Sequence, residues 1–121
     1  MERRCILVAD DDDGIRESVA EVLESEGYMV VTAGDGAAAL FAATHADPEL
    51  ILLDLRMPLL DGPGFMRELE KRGVDVPILV MTAAEDNDYV EGEFHPAGFV
   101  GKPFDLEELL SAVDVVTTNA A

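Results

Sequence analysis

Short apolar runs that end in a polar residue recur along this chain. Residues 5–9 run into four successive aspartates, residues 50–53 end on Asp54, and residues 78–81 end on Thr82. Continuous apolar runs of this length are typical of strands that are buried on both faces, as in a parallel sheet. The chain is therefore expected to place several polar side chains at one edge of such a sheet.

A helical pattern follows the first run. Its apolar positions recur at the spacing of one helix face, at Ile15, Val19, Val22 and Leu23. Asp12 or Asp13 can cap this helix at its N-terminus, and Gly27 can end it. We therefore expect the first strand to be followed directly by a helix.

Two more strand and helix units follow in the same order. Residues 28–32 form the second expected strand, and the turn at 34–36 leads into an alanine-rich helix that ends at 47–48. After the strand at 50–54, Pro63 fits the first turn of a helix that reaches about Arg72. The run at 78–82 then opens the fourth unit.

The pattern weakens between Glu85 and Gly98, because Gly92 and Pro96 interrupt it. A short or irregular fourth helix is expected there. Residues 99–101 can form a fifth strand.

The final helix carries its own start signal. Asp105 and Glu108 have the spacing of a capping box ahead of an apolar stripe. Residues 117–121 are expected to form a frayed tail beyond this helix.

Alternation of five strands with five helices predicts the α/β class, with a doubly wound five-stranded parallel sheet and helices on both faces. A length of 121 residues suits one domain, which we expect to occupy residues 1–121. In such folds ligands bind at the carboxyl ends of the strands.

Charge limits the partners of this domain. The formal net charge is −18, from 26 acidic and 8 basic residues, and such a surface repels nucleic acid and anionic lipid. The apolar runs are far shorter than the roughly 20 residues of a membrane span. No signal peptide is recognisable in the sequence, so we expect a cytoplasmic protein that contacts neither nucleic acid nor membrane directly.

Polar residues gather at the predicted site edge, namely Asp10, Asp11, Asp54, Thr82 and Lys102. Carboxylates brought together repel one another unless a cation lies between them, and magnesium suits one or two carboxylates, a carbonyl and phosphate oxygens. Taken singly, each aspartate could instead be a helix cap, Thr82 a local backbone hydrogen-bonding group, and Lys102 a solvated lysine. Their joint placement favours a phosphate-handling site.

The motifs that carry this pattern are residues 6–11 (ILVADD), 54–58 (DLRMP), 61–62 (DG), 82–83 (TA) and 102–104 (KPF). Together they resemble the response-regulator receiver family of two-component systems over nearly the whole chain. The resemblance implies a flavodoxin-like fold and a phosphoacceptor at Asp54.

The resemblance also implies a role for each matching residue. Asp11 would bind Mg²⁺ directly, Asp10 through water, and Asp54 and the backbone carbonyl of Arg56 would complete the protein ligands; Mn²⁺ would be able to substitute. Thr82 and Lys102 would contact the phosphoryl group and, with Asp54, form the catalytic set. Phe99 would repack with Thr82 as a switch, although an ordinary core position is an equal alternative.

Partners follow from the same resemblance. A sensor histidine kinase or a phosphotransfer protein would donate the phosphoryl group, and a downstream protein or a missing output domain would respond. The domain would promote its own phosphorylation and dephosphorylation rather than act as an enzyme on other substrates. The interval from Thr82 to Lys102 is shorter than the family pattern, which again points to a short or irregular fourth helix.

Two other functions stay open. A magnesium-dependent phosphohydrolase also uses an aspartyl nucleophile, and the spacing of Asp10 and Asp12 suits one such family, but Gly14 stands where a threonine is expected. A receiver-like module that binds partners without ever carrying phosphate is the second alternative.

Overall fold

Five strands make up the sheet of the computed structural model, which describes residues 4–83 and 96–119. They are β1 (Cys5–Ala9), β2 (Met29–Ala33), β3 (Leu50–Asp54), β4 (Ile78–Ala83) and β5 (Gly98–Lys102). All neighbouring pairs are parallel, in the order β2-β1-β3-β4-β5. The parallel sheet predicted from the apolar runs is confirmed.

The described residues contain four helices, α1 (Asp13–Ser25), α2 (Gly36–His45), α3 (Gly62–Lys71) and α4 (Leu106–Asn119). The short or irregular helix expected between β4 and β5 falls mainly on residues 84–95, which lie outside the described ranges. Among the described helices, none has the length and apolar content that a membrane crossing requires.

Burial explains why the strands differ in composition. All five residues of β3 are buried, and Ile6 to Ala9 of β1 are 0% exposed, because these two strands lie near the centre of a sheet that helices cover on both faces. The edge strands β2 and β5 are only partly buried. Their weaker apolar character therefore follows from their position.

Side-chain alternation divides the interior into two layers. The layer beneath α2 and α3 contains Leu7, Ala9, Ile51, Leu53, Phe65, Leu69 and Val80. The layer beneath α1 and α4 contains Ile6, Val8, Leu52, Val19, Leu23, Leu109 and Val113. Full burial of each large apolar side chain contributes about 1.5–3 kcal/mol to folding.

Each described helix begins after an aspartate whose carboxylate accepts a hydrogen bond from the first turn. These bonds join Asp12 to the Ile15 amide (2.9 Å), Asp35 to Ala38 (2.7 Å), Asp61 to Gly64 (2.8 Å) and Asp105 to Glu108 (2.8 Å). Asp12, rather than Asp13, is thus the cap of α1. Such caps satisfy amides that have no partner within the helix.

The prediction of a frayed tail over residues 117–121 is wrong for residues 117–119, because α4 continues to Asn119, and residues 120–121 lie outside the described ranges. Val113 and Val116 are buried against the sheet and extend the packed face of the helix. Thr117 is itself buried, and its hydroxyl donates to the Val113 carbonyl at 2.8 Å. Packing along this face stabilises a last turn that the polar sequence does not suggest.

Candidate functional site

Three carboxylates meet where β1 and β3 end. Ala9 of β1 pairs with Leu53 of β3, so Asp10 and Asp54 leave neighbouring strands side by side. One oxygen from each of Asp10, Asp11 and Asp54 lies within 4.8 Å of the others. Asp10 and Asp54 are buried, whereas Asp11 is exposed to solvent. The structure therefore brings together the three acidic residues that the sequence placed at this edge.

Asp10 is fully enclosed and bonded through both its backbone and its side chain. Its amide donates to the Ala33 carbonyl at 3.1 Å, and its own carbonyl accepts from Arg16 Nη1 at 2.8 Å. Its Oδ1 accepts from the Asp12 amide and its Oδ2 accepts from Lys102 Nζ, each at 2.9 Å. A buried carboxylate requires such partners, so Asp10 has a well-defined position.

Lys102 reaches across the end of β4 from β5 to the acidic cluster. Its Nζ lies 2.9 Å from Asp10 Oδ2 and 3.6 Å from Asp54 Oδ2, and its side chain is 18% exposed. Burial lowers the pKa of Lys102, but the hydrogen bond that its ammonium donates to Asp10 and the charges of Asp10 and Asp54 raise it more, so the net shift is upward. The ammonium group therefore stays charged in this site.

Asp54 is electrostatically unfavourable as a carboxylate in this surrounding. Burial and the charge of Asp10 raise the pKa of Asp54 to about 7, although the Lys102 charge and a hydrogen bond from the Arg56 amide at 3.2 Å oppose the rise. A hydrogen bond with Asp11 raises the pKa further. One lysine does not compensate this group of carboxylates, so the ionised site favours an added cation.

The donor atoms fit magnesium better than a softer metal. Carboxylate oxygens from Asp10, Asp11 and Asp54 are hard ligands, and the exposed Asp11 leaves one side accessible to water and phosphate. The Arg56 amide contacts Asp54, which places the main chain of residue 56 beside the cluster. The predicted use of the Arg56 carbonyl as a ligand stays a prediction.

Thr82 lies at the end of β4, opposite Gly101 of β5 and one position before the pair formed by Ala83 and Lys102. Its half-buried hydroxyl donates to the Ala83 carbonyl at 3.2 Å, as in the local hydrogen-bonding alternative. This bond does not test the predicted phosphoryl contact.

Phe99 lies on edge strand β5 and is 52% exposed. An ordinary core position is therefore wrong for Phe99. The cause is the position of β5, which is an edge strand in the sheet that residues 4–83 and 96–119 form.

Comparison with known proteins agrees with this geometry. Residues 6–114 match the family model described as the response regulator receiver domain. The chain belongs to this family. It is thus a response regulator receiver domain, the signal-receiving module of two-component systems.

Relatives of this receiver domain include the response regulator MprA of Mycobacterium sp. (strain KMS), 43% identical over 108 residues. That match covers 88% of this chain and 47% of the relative. MprA of Mycobacterium leprae (strain TN) is 41% identical over 110 residues, covering 89% and 48% of the two chains. The chain spans about half the length of the curated relatives it matches.

Solved structures share the fold of this receiver domain. The receiver domain of the Francisella response regulator 1452 has a TM-score of 0.88 at 28% identity, with 98% of this chain and 100% of that chain covered. The chemotaxis response regulator CheY4 of Vibrio cholerae has a TM-score of 0.84 at 31% identity, with coverages of 95% and 99%.

Two further residues of the receiver domain lie beside the acidic cluster, and of these only Asp12, as a cap of α1, was predicted from the sequence. Asp12, paired with Asp10 in the phosphohydrolase alternative, caps α1 through its side chain. Arg16, which sequence reasoning did not select, donates to the Asp10 carbonyl. The available signal for Arg16 was its place one turn after Asp12 and Asp13, where an arginine can reach back to the acidic run.

Proposed function

We propose that this receiver domain accepts a phosphoryl group on Asp54 in a magnesium-dependent reaction. The observation that carries the proposal is the cluster of Asp10, Asp11 and Asp54 at the carboxyl end of a parallel sheet, with the Lys102 ammonium beside Asp10 and Asp54. This arrangement concentrates charge where a phosphate with a divalent ion could bind. The membership of the family agrees with the same reaction class.

The proposed transfer begins with a phosphohistidine of a sensor histidine kinase or of a phosphotransfer protein. An oxygen of the Asp54 carboxylate attacks phosphorus, forming a P–O bond while the P–N bond breaks. The imidazole keeps the electron pair and takes up a proton from water. The product is an acyl phosphate on Asp54.

Lys102 and Thr82 would act on the phosphoryl oxygens. The Lys102 ammonium is within 3.6 Å of Asp54, so a modest movement from Asp10 would bring its charge to an oxygen of the transferring group. Thr82 would exchange its bond to the Ala83 carbonyl for one to the phosphoryl group. Neutralising charge on the equatorial oxygens is the main requirement of phosphoryl transfer.

Asp10, Asp11, Asp54 and the Arg56 carbonyl are the proposed magnesium ligands, with Asp10 acting through water. Bound Mg²⁺ would supply neutralisation of the negative charge on phosphate and carboxylates, and Mn²⁺ can replace it because it accepts the same oxygen ligands. Lys102 already compensates the charge of Asp10 through the contact of its Nζ with Oδ2.

Phe99 and Thr82 are the proposed switch. A new hydrogen bond from Thr82 would draw its side chain towards Asp54, and the exposed Phe99 ring would then turn inward. The affected surface lies at edge strand β5. A change there would present a different face to a partner.

The proposed output lies beyond these residues, in a downstream protein or in an output domain of a longer chain. A cytoplasmic kinase as phosphoryl donor places the proposed reaction in the cytoplasm. We further propose that Asp54, Lys102 and Thr82 promote both gain and loss of the domain's own phosphoryl group. The strong negative charge disfavours direct contact with nucleic acid or membrane.

Intact mass spectrometry after incubation with phosphoramidate tests the phosphoacceptor. The wild type should gain the mass of one phosphoryl group with Mg²⁺ and not with a chelator. Asp54→Asn should gain none. Asp75→Asn, which removes a charge from an exposed position, is the matched control and should behave as the wild type.

An adduct that survives in Asp54→Asn would assign the chemistry to another residue. Failure of the wild type to react with phosphoramidate, acetyl phosphate or a phosphorylated kinase would instead favour the phosphate-independent binding module. Release of many phosphate equivalents from an ester would favour the phosphohydrolase.

A further inference from the structure

Arg16 connects α1 to the backbone of the acidic loop. Its Nη1 donates to the Asp10 carbonyl at 2.8 Å, and its Nη2 lies 2.5 Å from Asp13 Oδ1. The Arg16 side chain is only 18% exposed, whereas that of Asp13 is 81% exposed. The guanidinium therefore lies mostly inside the protein and contacts both ends of the run of four aspartates.

The neighbouring loop leaves room for this guanidinium. A Cβ atom on Gly34, which follows β2, would lie 3.1 Å from Arg16 Nη1 and 3.6 Å from Cζ. A Cβ contact of 3.1 Å is tighter than nine in ten real Cβ contacts, so the guanidinium would have to shift by a few tenths of an ångström. Gly34 thus permits the arginine to approach Asp10 between the β1–α1 and β2–α2 loops.

The bond to Asp10 restrains the peptide that precedes Asp11. Asp10 is 0% exposed, so its carbonyl has no access to bulk water and depends on Arg16 as its donor. The Ala33 carbonyl and the Asp12 amide hold the other side of this segment. A change in the carbonyl direction would rotate the peptide and move the Asp11 side chain that follows it.

We infer that Arg16 is a positioning residue for the metal site, holding the Asp10–Asp11 peptide so that both carboxylates face Asp54. The inference rests on the magnesium site of the proposed function. Partners that orient metal ligands typically change metal affinity by 10- to 100-fold when removed. Arg16 would act in this way through the main chain of Asp10.

The positive charge of Arg16 and its positioning role have opposite effects on the affinity for Mg²⁺. A cation near the cluster repels Mg²⁺, so loss of charge alone would strengthen metal binding. Loss of positioning would weaken it. The direction of the change in Mg²⁺ affinity therefore distinguishes a positioning residue from a nearby charge.

The experiment is a Mg²⁺ titration of the ¹⁵N-labelled protein, followed by amide chemical shifts, with no phosphodonor present. Arg16→Gln and Arg16→Lys should each raise the Mg²⁺ Kd about tenfold. Lysine retains the charge but lacks the two-pronged geometry of the guanidinium. Arg72→Gln is the control for charge, because Arg72 is half exposed and pairs with Glu68 on α3.

The inference would be overturned if Arg16→Gln bound Mg²⁺ as tightly as Arg72→Gln or more tightly, and if Arg16→Lys bound it as tightly as the wild type or more tightly. Amide dispersion in the metal-free spectra shows whether each variant is folded. If Arg16→Gln does not fold, Arg16→Lys alone decides, and a wild-type Kd in that variant is the contrary result.

A second measurement separates positioning from a direct role in the reaction. With phosphoramidate, Arg16→Lys should be phosphorylated more slowly than the wild type at low Mg²⁺ concentration. At saturating Mg²⁺ it should be phosphorylated at the wild-type rate. A persistent deficit at saturation would contradict the inference. Absence of Mg²⁺ binding by the wild type would overturn the metal site itself, whereas an altered Kd without any phosphorylation would leave Arg16 supported and remove the phosphoacceptor.

Discussion

Lys102 lies nearer to Asp10 than to Asp54, with Nζ–Oδ2 distances of 2.9 Å and 3.6 Å respectively. The ammonium therefore compensates first the carboxylate that has no exposure to solvent. Asp54 is left with incomplete compensation, in agreement with its raised pKa of about 7. In the metal-free domain Lys102 is thus a structural partner of Asp10 as well as a candidate for phosphoryl contact.

Removal of the Lys102 charge should destabilise the metal-free domain. Lys102→Met leaves Asp10 buried without its cation, so the free energy of unfolding should fall by about 3 kcal/mol. Urea denaturation in the presence of a chelator measures this loss. Mg²⁺ should reduce the deficit, because it provides another cation for the same carboxylates.

Lys71→Met is the matched control, because the Lys71 side chain is 72% exposed and lies 3.9 Å from Glu68. It should change the free energy of unfolding by less than about 0.5 kcal/mol. Equal losses in Lys71→Met and Lys102→Met would contradict a structural role for Lys102.

Asp54 should make the metal-free domain less stable as pH rises. Its pKa is about 7 in the native state against an ordinary value of 3.8, so the native state binds the proton more tightly than the unfolded state does. This contribution is fully present below about pH 4 and is lost as pH rises through about 7. With a chelator present, Asp54→Asn should therefore have a higher Tm than wild type at neutral pH, and the difference should disappear near pH 4.

Thermal unfolding followed by circular dichroism from pH 4 to pH 8 measures this difference, and Asp75→Asn controls for loss of a surface charge. A constant difference between wild type and Asp54→Asn at every pH would show that titration of Asp54 is not its cause.

Gly36 should not tolerate a side chain. A Cβ atom there would lie 1.8 Å from the Leu60 carbonyl oxygen, and the Gly36 amide donates to the Pro58 carbonyl at 3.1 Å. Gly36→Ala should therefore push the loop after β3 away from α2 and lower the free energy of unfolding by about 1–3 kcal/mol. Urea denaturation measures the change.

Gly101→Ala is the control for Gly36→Ala, since none of the described residues has an atom within 4 Å of its added Cβ. It should leave stability nearly unchanged. If Gly36→Ala left the free energy of unfolding unchanged, the loop after β3 would be able to move away from the start of α2 without a cost in free energy.

Phe99 should become less accessible to solvent after phosphorylation. The chain contains no tryptophan, so Phe99→Trp introduces a single tryptophan, which can be excited apart from the two tyrosines, at a position that is 52% exposed. Acrylamide quenching should decrease when phosphoramidate and Mg²⁺ are added, because the ring turns inward.

Asp54→Asn and Thr82→Ala, each combined with the reporter, should abolish that decrease. Unchanged quenching in a reporter protein that mass spectrometry shows to be phosphorylated would refute the proposed role of Phe99.

The central strands were readily predicted because burial on both faces leaves an unmistakable apolar run. β3 coincides with the predicted 50–54, and Asp12 and Asp105 act as caps of α1 and α4 as predicted. The joint position of Asp10, Asp11 and Asp54 followed from parallel strands ending at one edge. These features depend on local sequence patterns, and the parallel order of the strands is enough to bring the strand ends to one edge of the sheet.

Other features depend on packing that no local pattern encodes. The pairing of Lys102 with Asp10 requires the strand order, which places β4 between β3 and β5. Exposure of Phe99 follows from the edge position of β5, and the extension of α4 through Thr117 follows from contact with the sheet. Arg16 was missed because an arginine beside aspartates usually indicates a solvated ion pair.

The two apolar layers on opposite faces of the sheet have a consequence for signalling. Asp54 continues into the loop that leads to α3, whereas Lys102 continues into the segment that leads to α4. These helices belong to different layers and face opposite sides of the molecule. Phosphorylation at the edge that both segments share would therefore be able to alter two separate surfaces. The proposed phosphoryl donor and the proposed downstream partner would then not need to bind to the same surface.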